Sequence, residues 1–159
     1  MTHVSRSIDI AASLERVWPV VGDVRVAAEC LPGLTVGSAR DARTFEAALT
    51  VPVGLLTVRY AGALQIDAVD AQRRSVRFRV RGVAPGGLTL AVGVAVGVMA
   101  RDVTSSRLTV ANDITLDLLT SLMAGAMVGQ VGTVLLDGFA RNVRALFDAA
   151  IPPPRPGPP

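Results

Sequence analysis

The stretch LTLAVGVAVGV, residues 88–98, has an apolar residue at every second position from Leu88 to Val98. Successive side chains of a strand point to opposite faces, so this alternation predicts a strand with one face in the core. Similar segments lie before and after it, and short turns such as Pro85-Gly86-Gly87 favour antiparallel pairing between them. The residues that share one face of those segments are Phe45, Ala47, Leu49 and Val51; Leu56, Val58, Tyr60, Leu64 and Ile66; Val76, Phe78 and Val80; and Leu108, Val110, Asn112, Ile114 and Leu116.

After the last of these strands, residues 119–149 predict one long helix. Four charged residues, from Asp137 to Asp148, recur at helical spacing and make one polar face. From residue 152 onward six of eight residues are proline, which predicts an extended tail. The helix face opposite the charges is predicted to meet the sheet, and it comprises Ser121, Gly125, Val128, Gly132, Leu135, Phe139, Val143 and Leu146.

The N-terminal part predicts one more strand, over residues 4–10, and two short helices. Ser13 and Asp23 are suited to cap these helices. Pro19 is expected to bend or end the first, because proline lacks the backbone donor that a helix interior needs. The predicted fold is therefore α+β: a curved antiparallel sheet wraps around a long C-terminal helix, with two short helices after strand 1.

The composition predicts one domain, residues 1–150, followed by the tail 151–159. Half of the residues are hydrophobic and only 18% are charged, which excludes a disordered chain. Cys30 and His3 are the only residues of their kinds, so the chain cannot be a disulfide scaffold or hold a Cys/His zinc site. All 16 basic residues are arginine, yet the net charge is only +3, and no nucleic-acid partner is expected. No secretory signal is visible, which favours the cytoplasm.

Four segments resemble one known family. They are ERVW (residues 15–18), Asp23 at the start of the second helix, CLPG (30–33) and LLDGFARN (135–142). With these segments the chain resembles the G-subunit family of carbon monoxide dehydrogenase, within the START-like (helix-grip) or polyketide cyclase-like superfamily. The likeness spans about residues 4–149.

The resemblance implies an accessory protein rather than an enzyme. Such proteins are associated with docking a molybdenum CO dehydrogenase to the inner face of the cytoplasmic membrane. The superfamily holds lipophilic ligands between sheet and long helix, so a respiratory quinone, menaquinone or ubiquinone, or a lipid is the expected ligand. No covalent cofactor is expected. A small-molecule enzyme of the polyketide cyclase type and a general lipid-transfer protein are the alternatives.

A ligand cavity is predicted between the inner sheet face and the long helix. Gly125 and Gly132 face the sheet and fill no volume, whereas native interiors are close-packed, so we expect space there. The alternative is that these glycines only allow close packing of helix on sheet. Tyr60 and Asn112 are the polar groups of a lining that otherwise suits an apolar ligand. The full predicted lining is Phe45, Leu49, Val58, Tyr60, Leu64, Phe78, Leu90, Val94, Leu108, Asn112, Leu116, Gly125, Val128, Gly132, Leu135 and Phe139.

A surface patch is predicted at the start of the long helix. Residues 118–136 carry no charge, and Leu122, Met123 and Met127 lie off the sheet-facing side. Exposed apolar side chains of this kind indicate contact with a membrane or a partner, or a dimer contact. The length of the segment is close to that of a membrane span, but Gln130 and the charged continuation of the helix argue against one.

Catalysis is not expected from the remaining polar residues. Cys30 is interpreted as a small buried hydrophobe, since His3 is the only base of its kind. Arg74 is the only charged residue that the strand alternation places inward. The other arginines of that strand, Arg77, Arg79 and Arg81, together with Arg73 before it, are predicted to lie on the outer face. There they either keep the strand solvated or meet an anionic partner.

Overall fold

Seven antiparallel strands form one sheet that packs against a long C-terminal helix. The computed structural model describes residues 2–53, 55–116 and 124–149. The elements are β1 (Thr2–Ile10), α1 (Leu14–Val21), α2 (Val24–Glu29), β2 (Leu34–Ala39), β3 (Thr44–Val53), β4 (Leu56–Asp70), β5 (Ser75–Val83), β6 (Thr89–Ala100), β7 (Ser106–Leu116) and α3 (Ala124–Ala149). The predicted fold class is confirmed, whereas the predicted tail lies outside the described residues.

The strand order β1-β7-β6-β5-β4-β3-β2 follows the chain, except that β1 pairs with β7. Every neighbouring pair is antiparallel, and the register sets Val4 opposite Asn112 and Asn112 opposite Val94. In β5 and β6 the buried residues alternate with more exposed ones. The apolar positions of the alternation that predicted these strands therefore lie on the inner face of the sheet.

The inner face of α3 follows a four-residue repeat. Val131, Leu135, Phe139, Val143 and Phe147 are each at most 5% exposed. A repeat of four exceeds the 3.6 residues of a helical turn, so the buried stripe winds around α3 as it crosses the twisted sheet.

This winding corrects one prediction, because Leu146 is 40% exposed and Phe147 takes its place in the core. The predicted polar face is confirmed where it is described. Asp137, Arg141 and Arg144 are exposed, and the side chain of Asp148 lies outside the described residues.

The two short helices form where the sequence placed them. The Asp23 carboxylate accepts a hydrogen bond from the Arg25 amide at 3.1 Å and so caps α2, whereas the Ser13 side chain makes no capping bond. Pro19 lies inside α1, which continues past it and ends at Val21. The expected helix end thus comes within one turn of the proline.

The corner between α2 and β2 is fastened to α3. The Asn142 side chain donates a hydrogen bond to the Cys30 carbonyl oxygen at 2.8 Å. Gly138 lies against the Pro32 ring, and a Cβ added at Gly138 would stand 2.5 Å from Pro32 Cγ. Gly33 supplies a φ of +81°, which other residues rarely adopt. The chain therefore turns tightly at Pro32-Gly33 and presents this corner to a helix position that has no side chain.

Gly138→Ala is expected to destabilise the protein by about 1–2 kcal/mol, because the new methyl group overpacks against the rigid Pro32 ring. Gly129→Ala is the matched control, since no described residue lies within 4 Å of a Cβ at Gly129. That control should stabilise by about 0.5–1 kcal/mol through helix propensity alone. Urea unfolding of both variants measures the difference. Equal changes in the two variants would show that the corner does not constrain α3.

Candidate functional site

The space between the inner sheet face and α3 is filled by the residues predicted to line a cavity. Ten of the sixteen are at most 3% exposed, and Gly132 is buried with them, whereas Phe45 and Val58 are half-buried. All the side chains concerned except Tyr60 and Asn112 are apolar. The ten are Leu49, Tyr60, Leu64, Phe78, Leu90, Val94, Leu108, Asn112, Leu135 and Phe139.

Several predicted site residues fall outside this description. Leu116 ends β7, and Gly125, Val128 and Met127 belong to α3, but their side chains lie outside the described residues. Leu122 and Met123 belong to the segment 117–123, which lies outside the described residues altogether. The predicted membrane or partner patch therefore stays a prediction.

The space expected at Gly132 is absent. A Cβ added there would stand 3.0 Å from Val4 Cγ2 and 3.3 Å from Ile114 Cδ1. These distances are tighter than ordinary contacts, so Gly132 lets α3 approach β1 and β7 closely. The prediction that Gly132 opens volume was wrong, because the alternation of β1 did not reveal that Val4 would meet α3. One turn earlier, at the half-buried Gly129, an added Cβ meets nothing within 4 Å among the described residues.

Asn112 is the buried amide of this interior. It is 2% exposed, and its Nδ2 donates to the Gly132 carbonyl oxygen at 3.4 Å. Its Oδ1 has no hydrogen-bond partner among the described residues. Buried polar groups are nearly always paired, so an orphaned acceptor in an apolar interior is a candidate point for ligand recognition.

Two inner-face residues near Asn112 were missed by the cavity prediction. Val4 is partly buried and Ile114 is 0% exposed, and both touch the Gly132 position. Ile114 belongs to the same alternating series as Asn112, which was a usable signal. Val4 could be added only by knowing that β1 pairs with β7.

The described interior carries no charge, since none of the described Asp, Glu, Arg or His residues is buried. Arg74 lies half-buried in the turn before β5 with a φ of 52°, so the alternation of that strand does not extend to it. No group of three or more potential metal ligands occurs in the described part of the chain. The interior, as far as it is described, has no charged pair positioned for acid–base work.

Cys30 and His3 lie on different sides of the molecule. Cys30 is 5% exposed in the core, and burial, with a smaller contribution from the Glu29 charge, raises the pKa of its thiol to about 11. His3 is exposed on the outer face, where its Nδ1 lies 2.6 Å from the Asp113 carboxylate. A buried thiol that resists ionisation is a poor nucleophile.

The outer sheet face holds a groove of about 620 Å³. Its floor is made by the small residues of β6 and β7, among them Ala91, Gly93 and Ala111. Arg79 beside it is paired with Asp67 at 2.8 Å, and the predicted outer placement of the β5 arginines agrees with their exposure.

No helix of the described residues is both long and apolar enough to cross a membrane. The finding concerns α3 above all, since it is the longest helix at 26 residues.

Cys30 should be protected from thiol reagents in the native protein at pH 8, and labelling by an aromatic disulfide should become fast only on unfolding. The raised pKa also makes a stability prediction. Between pH 9 and about 11 the Cys30 thiol ionises in the unfolded protein but stays protonated in the folded one. The free energy of unfolding therefore falls as pH rises through this range. Urea unfolding of wild type against Cys30→Ala at pH 8 and 10.5 measures it. Native labelling as fast as that of unfolded protein would contradict the burial.

Comparison with known proteins shows the fold first. A conserved protein from Geobacillus kaustophilus superposes with a TM-score of 0.77 at 13% identity, covering 94% of this chain and 97% of that one. A START superfamily protein from Mycobacterium smegmatis gives 0.67 at 15% identity, covering 93% and 98%. The Zhui aromatase/cyclase from Streptomyces sp. R1128 gives 0.52 at 19% identity, covering 93% and 90%. At these identities the likeness establishes a START-like fold alone.

Sequence comparison identifies the family. A search of curated proteins finds no significant match. The family model for the G subunit of carbon monoxide dehydrogenase (CoxG) matches residues 7–146, which include the end of β1, the corner at Pro32-Gly33 and most of α3. The match covers well over half of the sequence, and the chain belongs to the G-subunit (CoxG) family of carbon monoxide dehydrogenase.

Proposed function

We propose that this protein is a non-catalytic accessory protein that binds a respiratory quinone or a similar lipophilic ligand and links a molybdenum CO dehydrogenase to the cytoplasmic membrane. The observation that carries the proposal is the family match over residues 7–146. The name of the family connects the chain with CO dehydrogenase. The fold provides the means, since a sheet wrapped against a long helix can enclose an apolar molecule.

The character of the interior supports an apolar ligand. Its described side chains are almost all hydrocarbon, and a transferred ring or isoprenoid tail gains about 25 cal/mol for each Å² of apolar surface removed from water. Asn112 supplies a polar contact that can orient such a ligand. An apolar pocket with few polar groups is typical of sites for small lipophilic molecules.

Membrane contact is the second part of the proposal. In this proposal the protein lies in the cytoplasm and binds peripherally at the inner face of the membrane. The sequence puts the contact at Leu122, Met123 and Met127, beside the start of α3. A ligand with a long tail would then pass between bilayer and interior without crossing water.

The ligand-transfer role predicts coupling between the enzyme and a membrane quinone. Purified molybdenum CO dehydrogenase, liposomes containing menaquinone and CO should give fast quinone reduction only when this protein is added, because the quinone tail otherwise stays in the bilayer. The change in menaquinone absorbance follows the reaction. A reduction rate that is unaffected by the protein would refute the linking role, and mass spectrometry of lipid extracts shows separately whether quinone copurifies.

The membrane contact predicts a loss of liposome binding in Leu122→Gln/Met123→Gln/Met127→Gln. The matched control is Met99→Gln/Val103→Gln, which removes two exposed apolar side chains, 59% and 90% exposed, at the β6–β7 turn. That turn lies at the opposite end of β7 from the start of α3. Flotation with vesicles should distinguish the two, with only the triple variant failing to float. Equal flotation of both variants and wild type would remove this patch from the proposal.

A cyclase is the second candidate, because the Zhui aromatase/cyclase shares the fold. Cyclisation chemistry needs positioned groups that move protons. The described interior has no buried Asp, Glu, Arg or His to do so, and the Cys30 thiol is held protonated by its raised pKa. The binding role is therefore favoured over the enzymatic one, and over general lipid transfer by the family match.

A further inference from the structure

The orientation of the Asn112 amide is determined by its surroundings. Its Nδ2 faces the Gly132 carbonyl oxygen at 3.4 Å. Turning the amide by 180° would set Oδ1 against that carbonyl, and two acceptors repel each other. The carboxamide oxygen is therefore the atom that is left facing the interior.

This oxygen is an acceptor without a donor. No described residue donates to Asn112 Oδ1, although the side chain is 2% exposed. The cross-strand neighbours of Asn112 are Val4 and Val94, whose side chains have nothing to donate. An unpaired buried acceptor destabilises a protein, and burying an apolar residue at this position would not. The amide is thus better explained by a ligand than by the fold.

Space for such a ligand lies close to the amide. A Cβ at Gly132 would be 3.7 Å from Asn112 Oδ1, and no described residue lies within 4 Å of a Cβ at Gly129. Residues three apart on a helix have Cβ atoms about 5–6 Å apart. The open side of α3 therefore begins within one turn of the unpaired oxygen.

We infer that Asn112 selects ligands that present a hydroxyl donor, and that the protein binds the hydroquinone form of its ligand more tightly than the quinone form. This inference rests on the proposed function, whose ligand class it makes more specific. A hydroquinone hydroxyl donates to Oδ1, whereas a quinone carbonyl is an acceptor and meets Oδ1 unfavourably. One hydrogen bond gained and one repulsion avoided favour the reduced form by about tenfold in Kd.

The preference changes the redox potential of the bound ligand. Reduction adds two electrons and two protons to the quinone, and each carbonyl oxygen becomes a hydroxyl. A site that holds the reduced form tenfold more tightly raises the midpoint potential of this two-electron couple by about 30 mV. The bound quinone is then a stronger electron acceptor than the same quinone in the bilayer.

The first experiment uses the wild-type protein and three short-chain naphthoquinone ligands: the quinone, the anaerobically reduced hydroquinone and the dimethyl ether of the hydroquinone. Quenching of the single Trp18, which packs against the core, or native mass spectrometry gives each Kd. The hydroquinone should bind about tenfold more tightly than the other two. The dimethyl ether separates the hydroxyl donor from ring shape and electron count.

The second experiment compares Asn112→Leu with Ile114→Leu. The first variant removes the acceptor at nearly constant volume, and the second repacks a neighbouring residue that also touches Gly132 and keeps the amide. Asn112→Leu should abolish the preference for hydroquinone and raise Tm by roughly 2–4 °C. Ile114→Leu should retain the preference.

The outcomes separate the two proposals. Tight but equal binding of all three ligands would overturn the role of Asn112 and leave the proposed function standing. No binding of any of them would remove the quinone ligand itself. A preference that survives in Asn112→Leu would assign it to another residue and also overturn the inference. If Asn112→Leu does not fold, the dimethyl ether comparison in wild type decides alone.

Discussion

The contact between α3 and the corner after α2 holds the two layers of the molecule in register. Pro32 meets a helix position without a side chain, Gly138, and Asn142 four residues later binds the Cys30 carbonyl oxygen at 2.8 Å. The hydrogen bond to the Cys30 carbonyl oxygen at the end of α2 and the close packing at Gly138 together define the distance and the rotation of α3. The stripe from Val131 to Phe147 can then face the sheet along the whole helix.

The same contact explains why two distant segments carry the likeness to the family. CLPG at residues 30–33 and LLDGFARN at residues 135–142 are separated by more than a hundred residues, yet they touch. The two segments depend on each other, because the Pro32 ring can pack this closely only against a helix position without a side chain, Gly138. Their joint presence therefore indicates this packing arrangement, and the arrangement encloses the apolar interior.

The electrostatics of the described interior support the proposed binding role. Burying an unpaired charge in hydrocarbon is very costly, so a core without charged groups is stable but cannot transfer protons readily. The polar atom left over among the described residues, Asn112 Oδ1, is neutral and accepts a hydrogen bond. A neutral acceptor in an apolar interior can distinguish a hydroxyl from a carbonyl without performing chemistry on either.

The fold class and six of the seven strands follow from the sequence, because alternation with period two and a 3.6-residue repeat are local properties of the chain. The short strand β2 was not predicted. Ten of the sixteen residues predicted for the lining, Asn112 among them, are buried. Tertiary structure decided what the inner faces of these elements meet. The packing of Gly132 against Val4 depends on the pairing of β1 with β7, across more than a hundred residues of chain. The burial of Phe147 instead of Leu146 depends on how α3 crosses the twisted sheet. The Asn112 oxygen is left unpaired because the amide nitrogen of the same side chain donates to the Gly132 carbonyl oxygen. Such distances between remote segments leave no periodic trace in the sequence, since they arise only when the layers pack.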